Sequence, residues 1–122
     1  MSERILIVDD AAFMREMLCD LLTEEGYQIA AEAADGDEAV AAYAAHSPDL
    51  VMLDIVMPRK SGLEALREIV AYDSEARVVM CSALGQESLV MEALDAGAKD
   101  FVVKPFKPDR AIDVIKKVLS KS

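Results

Sequence analysis

Hydrophobic residues along the chain follow two different spacings. Five short runs are almost continuously apolar and rich in β-branched residues, which is typical of strands buried on both faces of a parallel sheet. These runs are residues 5–8, 27–29, 50–53, 78–80 and 101–103. Between them, apolar residues recur every three or four positions, which predicts amphipathic helices. The pattern therefore predicts five β-α units that begin near residues 4, 27, 49, 77 and 100.

Each predicted helix has its own apolar stripe. The first stripe is the widest and consists of Phe13, Met14, Met17, Leu18, Leu21 and Leu22. The remaining four consist of Val40, Tyr43 and Ala44, then Leu63, Leu66, Ile69 and Val70, then Leu89, Val90, Ala93 and Leu94, and finally Ala111, Val114, Ile115, Val118 and Leu119. Right-handed crossovers place such helices on both faces of one sheet. We therefore expect an α/β fold, a doubly wound five-stranded parallel sheet with five helices.

Local signals agree with these helix boundaries. Gly26 and Gly97 each follow a stripe, where a left-handed residue ends a helix at low cost. Ser61 and Glu64 form a capping-box pattern before the third stripe, and Pro108 suits the first turn of the fifth helix. Because five units occupy the whole chain, we expect a single domain over residues 1–122 without an output domain.

Composition and charge narrow the function classes. The chain has 13 Lys and Arg against 23 Asp and Glu, a formal net charge of −10, which argues against nonspecific nucleic-acid binding. With 53% hydrophobic residues it can form a core, yet no apolar stretch approaches the roughly 20 residues that membrane insertion needs. The early apolar run stops at two aspartates and does not resemble a signal peptide. The lone Cys19 and Cys81 suit a reducing cytoplasm, and a single histidine, His46, argues against a His-rich zinc site.

Polar residues follow four of the five predicted strands directly. Asp9 and Asp10 follow the first strand, Asp54 the third, Ser82 the fourth and Lys104 the fifth. Ligands of open α/β sheets bind at the carboxyl ends of the strands. If the first and third strands are neighbours, three carboxylates meet there and repel one another, which favours a hard divalent cation such as Mg²⁺. Lys104 and Ser82 would then contact a phosphoryl group, so the pattern predicts a metal-assisted phosphoryl site with a carboxylate acceptor.

Simpler interpretations exist for the same residues. Asp10 as the cap of the first helix is a structural alternative, and an aspartate after a strand is common turn chemistry. His46 lies in a predicted loop, and Cys81 is expected to be a small buried hydrophobic residue. A catalytic triad of Ser82, His46 and an aspartate is disfavoured because no nucleophile elbow surrounds the serine. Core packing or a turn explains Met14, Met17 and Met57 better than metal binding does.

Four segments together carry a family resemblance: ILIVDD, LVMLDIVMP with Gly62 after it, VVMCSA, and GAKDFVVKPF. In this order and spacing they resemble the receiver domain of two-component response regulators, over nearly all 122 residues. Residues 9–15 are similar in particular to stand-alone chemotaxis regulators of this family from thermophilic and Gram-positive bacteria. The resemblance implies the strand order 2-1-3-4-5.

The resemblance also implies how phosphorylation would work. Asp54 would accept a phosphoryl group from the phosphohistidine of a CheA-like histidine kinase. Asp10, with Asp9 partly through water, would hold Mg²⁺ together with Asp54 and the backbone carbonyl of Val56. Lys104 would pair with the phosphoryl oxygens, and its bond to Pro105 is expected to be cis.

Two further positions match the switch residues of the family. Ser82 would move toward the phosphoryl group, and Phe101 would turn into the space vacated, which changes the surface formed by helix four, strand five and helix five. The alternative is that Phe101 is an ordinary core aromatic. Phe101 occupies a position where the family frequently has tyrosine. Val56 and Leu84 occupy positions that in the family often carry polar groups, which tune the phosphoryl lifetime.

The expected function is therefore that of a cytoplasmic, monomeric signalling protein that is not an enzyme beyond its own phosphoryl transfer and dephosphorylation. Its expected partners are the histidine kinase, the flagellar motor switch protein and a phosphatase. A phosphorelay intermediate and a phosphate sink are the alternatives within the family. The acidic pair Asp9 and Asp10 after the first strand argues against a flavodoxin-like electron carrier. A phosphatase of the haloacid dehalogenase type is disfavoured because no D-x-D motif follows that strand.

Overall fold

A five-stranded parallel sheet lies at the centre of the fold. The computed structural model describes residues 2–120. Its strands are β1 (Arg4–Val8), β2 (Gln28–Ala33), β3 (Leu50–Asp54), β4 (Val78–Ser82) and β5 (Asp100–Val103), and its helices are α1 (Ala12–Glu24), α2 (Gly36–His46), α3 (Gly62–Tyr72), α4 (Glu87–Ala96) and α5 (Pro108–Ser120). The strands lie in the order β2-β1-β3-β4-β5, and every pairing is parallel. The predicted fold class and strand order are confirmed.

The apolar runs in the middle strands are continuous because helices cover both faces of the sheet. On β1, the side chains of Leu6 and Val8 join one core layer, whereas Ile5 and Ile7 join the other. The first layer contains buried hydrophobic residues of α2, α3 and α4, and the second contains Leu18 and Leu22 of α1 and the buried residues of α5. This alternation is the two-residue period of a strand, here apolar on both sides.

The apolar stripe predicted for α1 is narrower in the structure. Met14, Leu18 and Leu22, spaced four residues apart, are the buried positions of this helix. Phe13 is 71% exposed and Met17 is 44% exposed. Each precedes a buried position by one residue, which on a helix corresponds to a rotation of about 100° away from the core. The prediction that these two residues join the buried face was therefore wrong.

Helix ends follow the sequence signals closely. Ser61 and Glu64 form the reciprocal capping box at α3, and Pro108 is the first residue of α5. Gly26 and Gly97 follow α1 and α4 with φ angles of +93° and +120°. His46 was expected in a loop but is the exposed last residue of α2. Within residues 2–120, none of the helices combines the length and apolar character that crossing a bilayer requires.

Candidate phosphoryl and metal site

Three carboxylates meet at the edge of the sheet where the strands end. One oxygen from each of Asp9, Asp10 and Asp54 lies within 4.8 Å of the others. They come together because β1 and β3 are neighbours and Val8 pairs with Leu53 in register. Asp9 and Asp54 are buried, whereas Asp10 is exposed to solvent. The predicted acidic cluster is confirmed.

Lys104 reaches this cluster from the last strand. Its Nζ lies 2.7 Å from Oδ2 of Asp9 and 3.3 Å from Oδ1 of Asp54. Its backbone N–H donates to the carbonyl of Ser82 at 2.7 Å, which fixes the chain just after β5. The bond from Lys104 to Pro105 is cis, the geometry that the resemblance implies. One ammonium group therefore faces three carboxylates, and the cluster retains a net negative charge.

Asp9 is held by contacts on every side. Its Oδ1 accepts a hydrogen bond from the backbone N–H of Ala11 at 2.9 Å, while Oδ2 accepts from Lys104. Its own N–H donates to the carbonyl of Ala33, and its carbonyl accepts from Arg15 at 2.6 Å. These contacts fix the backbone and the carboxylate of Asp9 together.

Asp10 does not cap α1. The N-cap residue is Ala11, whose side chain makes no cap hydrogen bond, so the capping alternative considered for Asp10 was wrong. Without this structural role, Asp10 presents an exposed carboxylate beside two buried ones. The carboxylate oxygens fit a hard cation such as Mg²⁺, which takes one or two protein carboxylates and completes its shell with other oxygens. Val56, the predicted carbonyl ligand, follows β3 with an exposed side chain.

Burial and charge act together on the pKa of the Asp54 carboxylate. Desolvation raises the pKa of Asp54 to about 6; Lys104 opposes this rise, and the charges of Asp9 and Asp10 add to it. Burial alone would lower the pKa of Lys104, but Asp9 and Asp54 outweigh it and raise that pKa above its usual value. At neutral pH Asp54 is therefore mostly ionised and Lys104 is protonated, the pairing that a nucleophilic carboxylate and a cationic phosphate ligand require.

The start of α3 packs directly against the main chain of Asp54. The N–H of Gly62 donates to the carbonyl of Ile55 at 2.7 Å. A Cβ atom on Gly62 would lie 1.9 Å from the carbonyl oxygen of Asp54, closer than any real contact. Only glycine fits at this position, which explains its place in the sequence motif.

Ser82 and Phe101 lie beside the site on the α4 side. Ser82 ends β4 and is buried, and its backbone pairs in register with Val103 of β5. Phe101 is half-buried and packs against the core layer shared with α4. Both residues line a cavity of about 220 Å³ between α4 and β5, together with Leu84 and Met91. The predicted movement of Phe101 stays a prediction.

The positions of Cys81 and His46 decide the roles considered for them. Cys81 is buried, as expected of a small hydrophobic residue. The carbonyl of His46 accepts a hydrogen bond from Arg4, the first residue of β1, so His46 lies at the opposite edge of the sheet from Ser82. The disfavoured triad is therefore excluded.

Sequence reasoning assigned no individual role to Arg15 or Asp35. Arg15 supports the main chain of Asp9, and Asp35 is a buried carboxylate that caps α2. Asp35 followed three residues later by Glu38 is a helix-start signal that could have been read. Arg15 pairs with Glu32 through Nε, but its contact with Asp9 is made to a backbone carbonyl, which the sequence does not reveal.

Comparisons with known proteins agree with this geometry. The response regulator receiver domain family matches residues 5–116. Chemotaxis protein CheY of Bacillus subtilis strain 168 is 55% identical over 120 residues, covering 98% of this chain and all of that protein. CheY of Thermotoga maritima is 52% identical and covers 97% of this chain and 98% of the relative.

A solved structure also matches this chain over nearly its full length. A chain of the CheX–CheY–BeF3–Mg²⁺ complex from Borrelia burgdorferi superimposes with a TM-score of 0.93 at 43% identity, covering 98% of this chain and 90% of that one. Family, relatives and fold thus agree over nearly the full length. For that reason we conclude that the chain belongs to the response regulator receiver domain family, in which it is CheY-like.

Proposed function

We propose that this protein accepts a phosphoryl group on Asp54 from the phosphohistidine of a CheA-like histidine kinase. One observation carries the proposal: a buried carboxylate, with a pKa of about 6, has the ammonium of Lys104 3.3 Å away. Ionised at neutral pH and held at the edge where ligands of such sheets bind, Asp54 has the character of an acceptor. The CheY relatives support the two-component setting.

The transfer needs only one exchange of bonds. A carboxylate oxygen of Asp54 forms a bond to phosphorus while the phosphorus–nitrogen bond of the donor histidine breaks. The bonding electron pair leaves with the imidazole nitrogen, and the product is an acyl phosphate. Lys104 pairs with the phosphoryl oxygens and Ser82 donates a hydrogen bond to them. The protein catalyses only this transfer and its own dephosphorylation, without turnover of a separate substrate.

Mg²⁺ is the cofactor of the proposed reaction. Asp10, Asp54 and the backbone carbonyl of Val56 would hold it, with Asp9 contributing partly through water. The ion would supply positive charge that offsets the carboxylates and the transferred phosphoryl group. The clustering of carboxylate oxygens within 4.8 Å supports this assignment.

Phosphorylation would change the surface formed by α4, β5 and α5, and a partner protein would bind the changed surface. Ser82 moves toward the phosphoryl group, and Phe101 turns inward behind it. The cavity of about 220 Å³ that both residues line supports this, because it offers space beside the ring. The proposed target is the flagellar motor switch protein, and a phosphatase ends the signal. That a CheY occurs in a solved complex with CheX supports the existence of a further partner.

The setting we propose is the cytoplasm, with the protein acting as a monomer in chemotaxis. Free Cys19 and Cys81 suit a reducing compartment. The CheY relatives are named chemotaxis proteins, which favours a role in chemotaxis over a phosphorelay or sink role. Phosphoryl-dependent binding to the motor switch protein would support that choice, whereas efficient transfer to a histidine-phosphotransfer domain without such binding would favour the relay.

The decisive experiment is Mg²⁺-dependent labelling with radioactive acetyl phosphate and with a chemotaxis kinase. We expect about one phosphoryl group per chain on the wild type, and none on Asp54→Asn. Asp20→Asn, which alters an exposed carboxylate on α1, is the matched control and should label normally. Undiminished labelling of Asp54→Asn would contradict the assignment of the acceptor.

A further inference from the structure

The loop that follows the acceptor strand runs directly against the start of α2. This loop, residues 55–61, connects β3 to α3. The N–H of Gly36, the first residue of α2, donates to the carbonyl of Lys60 at 3.1 Å. A Cβ atom on Gly36 would lie 2.3 Å from that same oxygen, so the two main chains are in contact. The helix start therefore supports the far side of the loop.

Asp35 connects the two segments by charge. Its side chain is only 7% exposed; Oδ1 accepts from the N–H of Glu38 at 2.9 Å, and Oδ2 lies 3.3 Å from Nη1 of Arg59. Arg59 is 74% exposed and has a φ angle of +63°, which is uncommon for a residue other than glycine. That conformation costs about 1–2 kcal/mol and needs contacts that maintain it. The buried carboxylate of Asp35 is one such contact.

Lys60 adds a second connection beside the first. Its Nζ lies 3.4 Å from Oδ1 of Asp37 on α2 and also pairs with Glu68 on α3. The loop is thus attached to α2 at two consecutive residues, Arg59 and Lys60. At the start of the loop, the carbonyl of Ile55 accepts a hydrogen bond from the N–H of Gly62, which also packs against Asp54. Val56 lies between these two anchored ends.

We propose that Asp35 and Arg59 are positioning residues for the cation site. Their ion pair fixes the loop in the conformation in which the carbonyl of Val56 is available to a cation held by Asp10 and Asp54. Neither residue touches the cation; both act through the loop. The inference rests on the proposed function, because it concerns how Mg²⁺ is held.

Two conservative substitutions separate this role from a general effect of charge. Asn caps a helix as well as Asp, so Asp35→Asn keeps the cap of α2 and loses the charge. Asn also tolerates a positive φ, so Arg59→Asn keeps the loop conformation accessible. By long-range electrostatics alone, Asp35→Asn would weaken Mg²⁺ binding and Arg59→Asn would strengthen it, because their charge changes are opposite. Positioning requires that both weaken it.

The test is calorimetric titration of each full-length variant with MgCl₂ at pH 7.5 and constant ionic strength. We expect both single variants to bind Mg²⁺ about 10-fold more weakly than the wild type, the lower end of what residues behind metal ligands contribute. The double variant should bind no more weakly than either single variant, since one interaction is lost in each. Arg67→Asn is the control: it makes the same charge change in an exposed pair with Glu92 and should not weaken binding.

Additional measurements separate loss of Mg²⁺ binding from unfolding of α2. Unfolding temperatures and the hydrogen exchange of the Gly36 amide, measured without metal, report whether α2 remains folded in the variants. Binding by Arg59→Asn that equals or exceeds wild-type binding would overturn the inference, as would losses that add in the double variant. If wild type neither binds Mg²⁺ nor labels on Asp54, the proposed function fails as well. If it does both and Arg59→Asn still binds normally, only the positioning role fails.

Discussion

The ammonium group of Lys104 lies 2.7 Å from Oδ2 of Asp9, a residue that precedes it by 95 positions. The strands that these residues directly follow, β1 and β5, are not neighbours, since β3 and β4 lie between them. The side chain of Lys104 therefore extends across the carboxyl ends of β4 and β3 to reach Asp9. With Oδ1 of Asp9 bonded to Ala11, both oxygens of Asp9 already have a protein partner. This favours contact between Asp9 and a cation through water, with Asp10 and Asp54 closer to it.

Removing the ammonium group should raise the pKa of Asp54. Lys104 lowers that pKa against the effect of burial, so in Lys104→Met we expect a value above the wild-type value of about 6, measured by carbon NMR of the carboxyl group without metal. Labelling by acetyl phosphate should fall about 10- to 100-fold, since a cationic ligand of the phosphoryl group is lost. Lys99→Met, at an exposed position before β5, is the control. An unchanged pKa in Lys104→Met would show that the ammonium does not act on Asp54.

Neutralising Asp54 should stabilise the metal-free protein, and the gain should depend on pH. The folded-state pKa of Asp54, about 6, lies above its ordinary value of 3.8. Folding is therefore favoured by the protonated carboxyl below about pH 4, and this contribution is lost as pH rises through 6. In urea titrations with EDTA at pH 8, Asp54→Asn should be about 1–2 kcal/mol more stable than the wild type.

At pH 4 the difference between Asp54→Asn and the wild type should largely vanish, because the folded wild type then carries a neutral Asp54. Asp20→Asn should show no comparable trend. A gain in Asp54→Asn that is equal at both pH values would exclude an electrostatic origin.

A methyl group at Gly62 should damage both the fold and the site. In Gly62→Ala, Cβ would meet the carbonyl oxygen of Asp54 at 1.9 Å, and one of the two backbones must move. We expect a loss of about 3 kcal/mol or more in urea titrations, together with reduced labelling by acetyl phosphate. Gly26→Ala is the matched control, because Gly26 has a positive φ and a Cβ atom there would meet no other atom within 4 Å. It should cost about 1 kcal/mol and leave labelling normal.

The ring of Phe101 should report occupation of the phosphoryl site. Beryllium fluoride with Mg²⁺ imitates a phosphoryl group on a carboxylate, and we expect it to shift the aromatic NMR signals of Phe101. Ser82→Ala should reduce this shift, because the proposed switch depends on the Ser82 hydroxyl drawing the loop before α4 inward. The ring of Tyr72, which packs edge-on against Tyr43, serves as the control. Signals of Phe101 that do not change on addition of the mimic would establish it as an ordinary core aromatic.

Much of the site was predictable because its residues follow strands. Asp9, Asp54, Ser82 and Lys104 each stand where an apolar run stops, and a parallel sheet gathers such positions at one edge. The strand order did not follow from the runs themselves, since any order keeps the same alternation of strands and helices. It came from the resemblance. The distances within the site came only from the structure, which shows that Lys104 lies nearer to Asp9 than to Asp54.

Residues outside this pattern were harder to predict. Periodicity counts a large apolar residue as buried, so it could not show that Phe13 and Met17 lie on the solvent side of α1. The pair between Asp35 and Arg59 joins residues 24 positions apart. Neither residue interrupts an apolar run or completes a motif with the other. Only the packing of α2 against the loop after β3 brings them together.

The crossing of Lys104 to Asp9 has a consequence for how the protein is made. During translation, Asp9, Asp10 and Asp54 are synthesised long before Lys104, which follows the last strand. Until the final strand has docked, Asp54 lacks its cationic neighbour Lys104, and the site is incomplete in partly synthesised or truncated chains. Completion of the sheet therefore completes the site, because only a chain folded through its last strand brings Lys104 to Asp9 and Asp54.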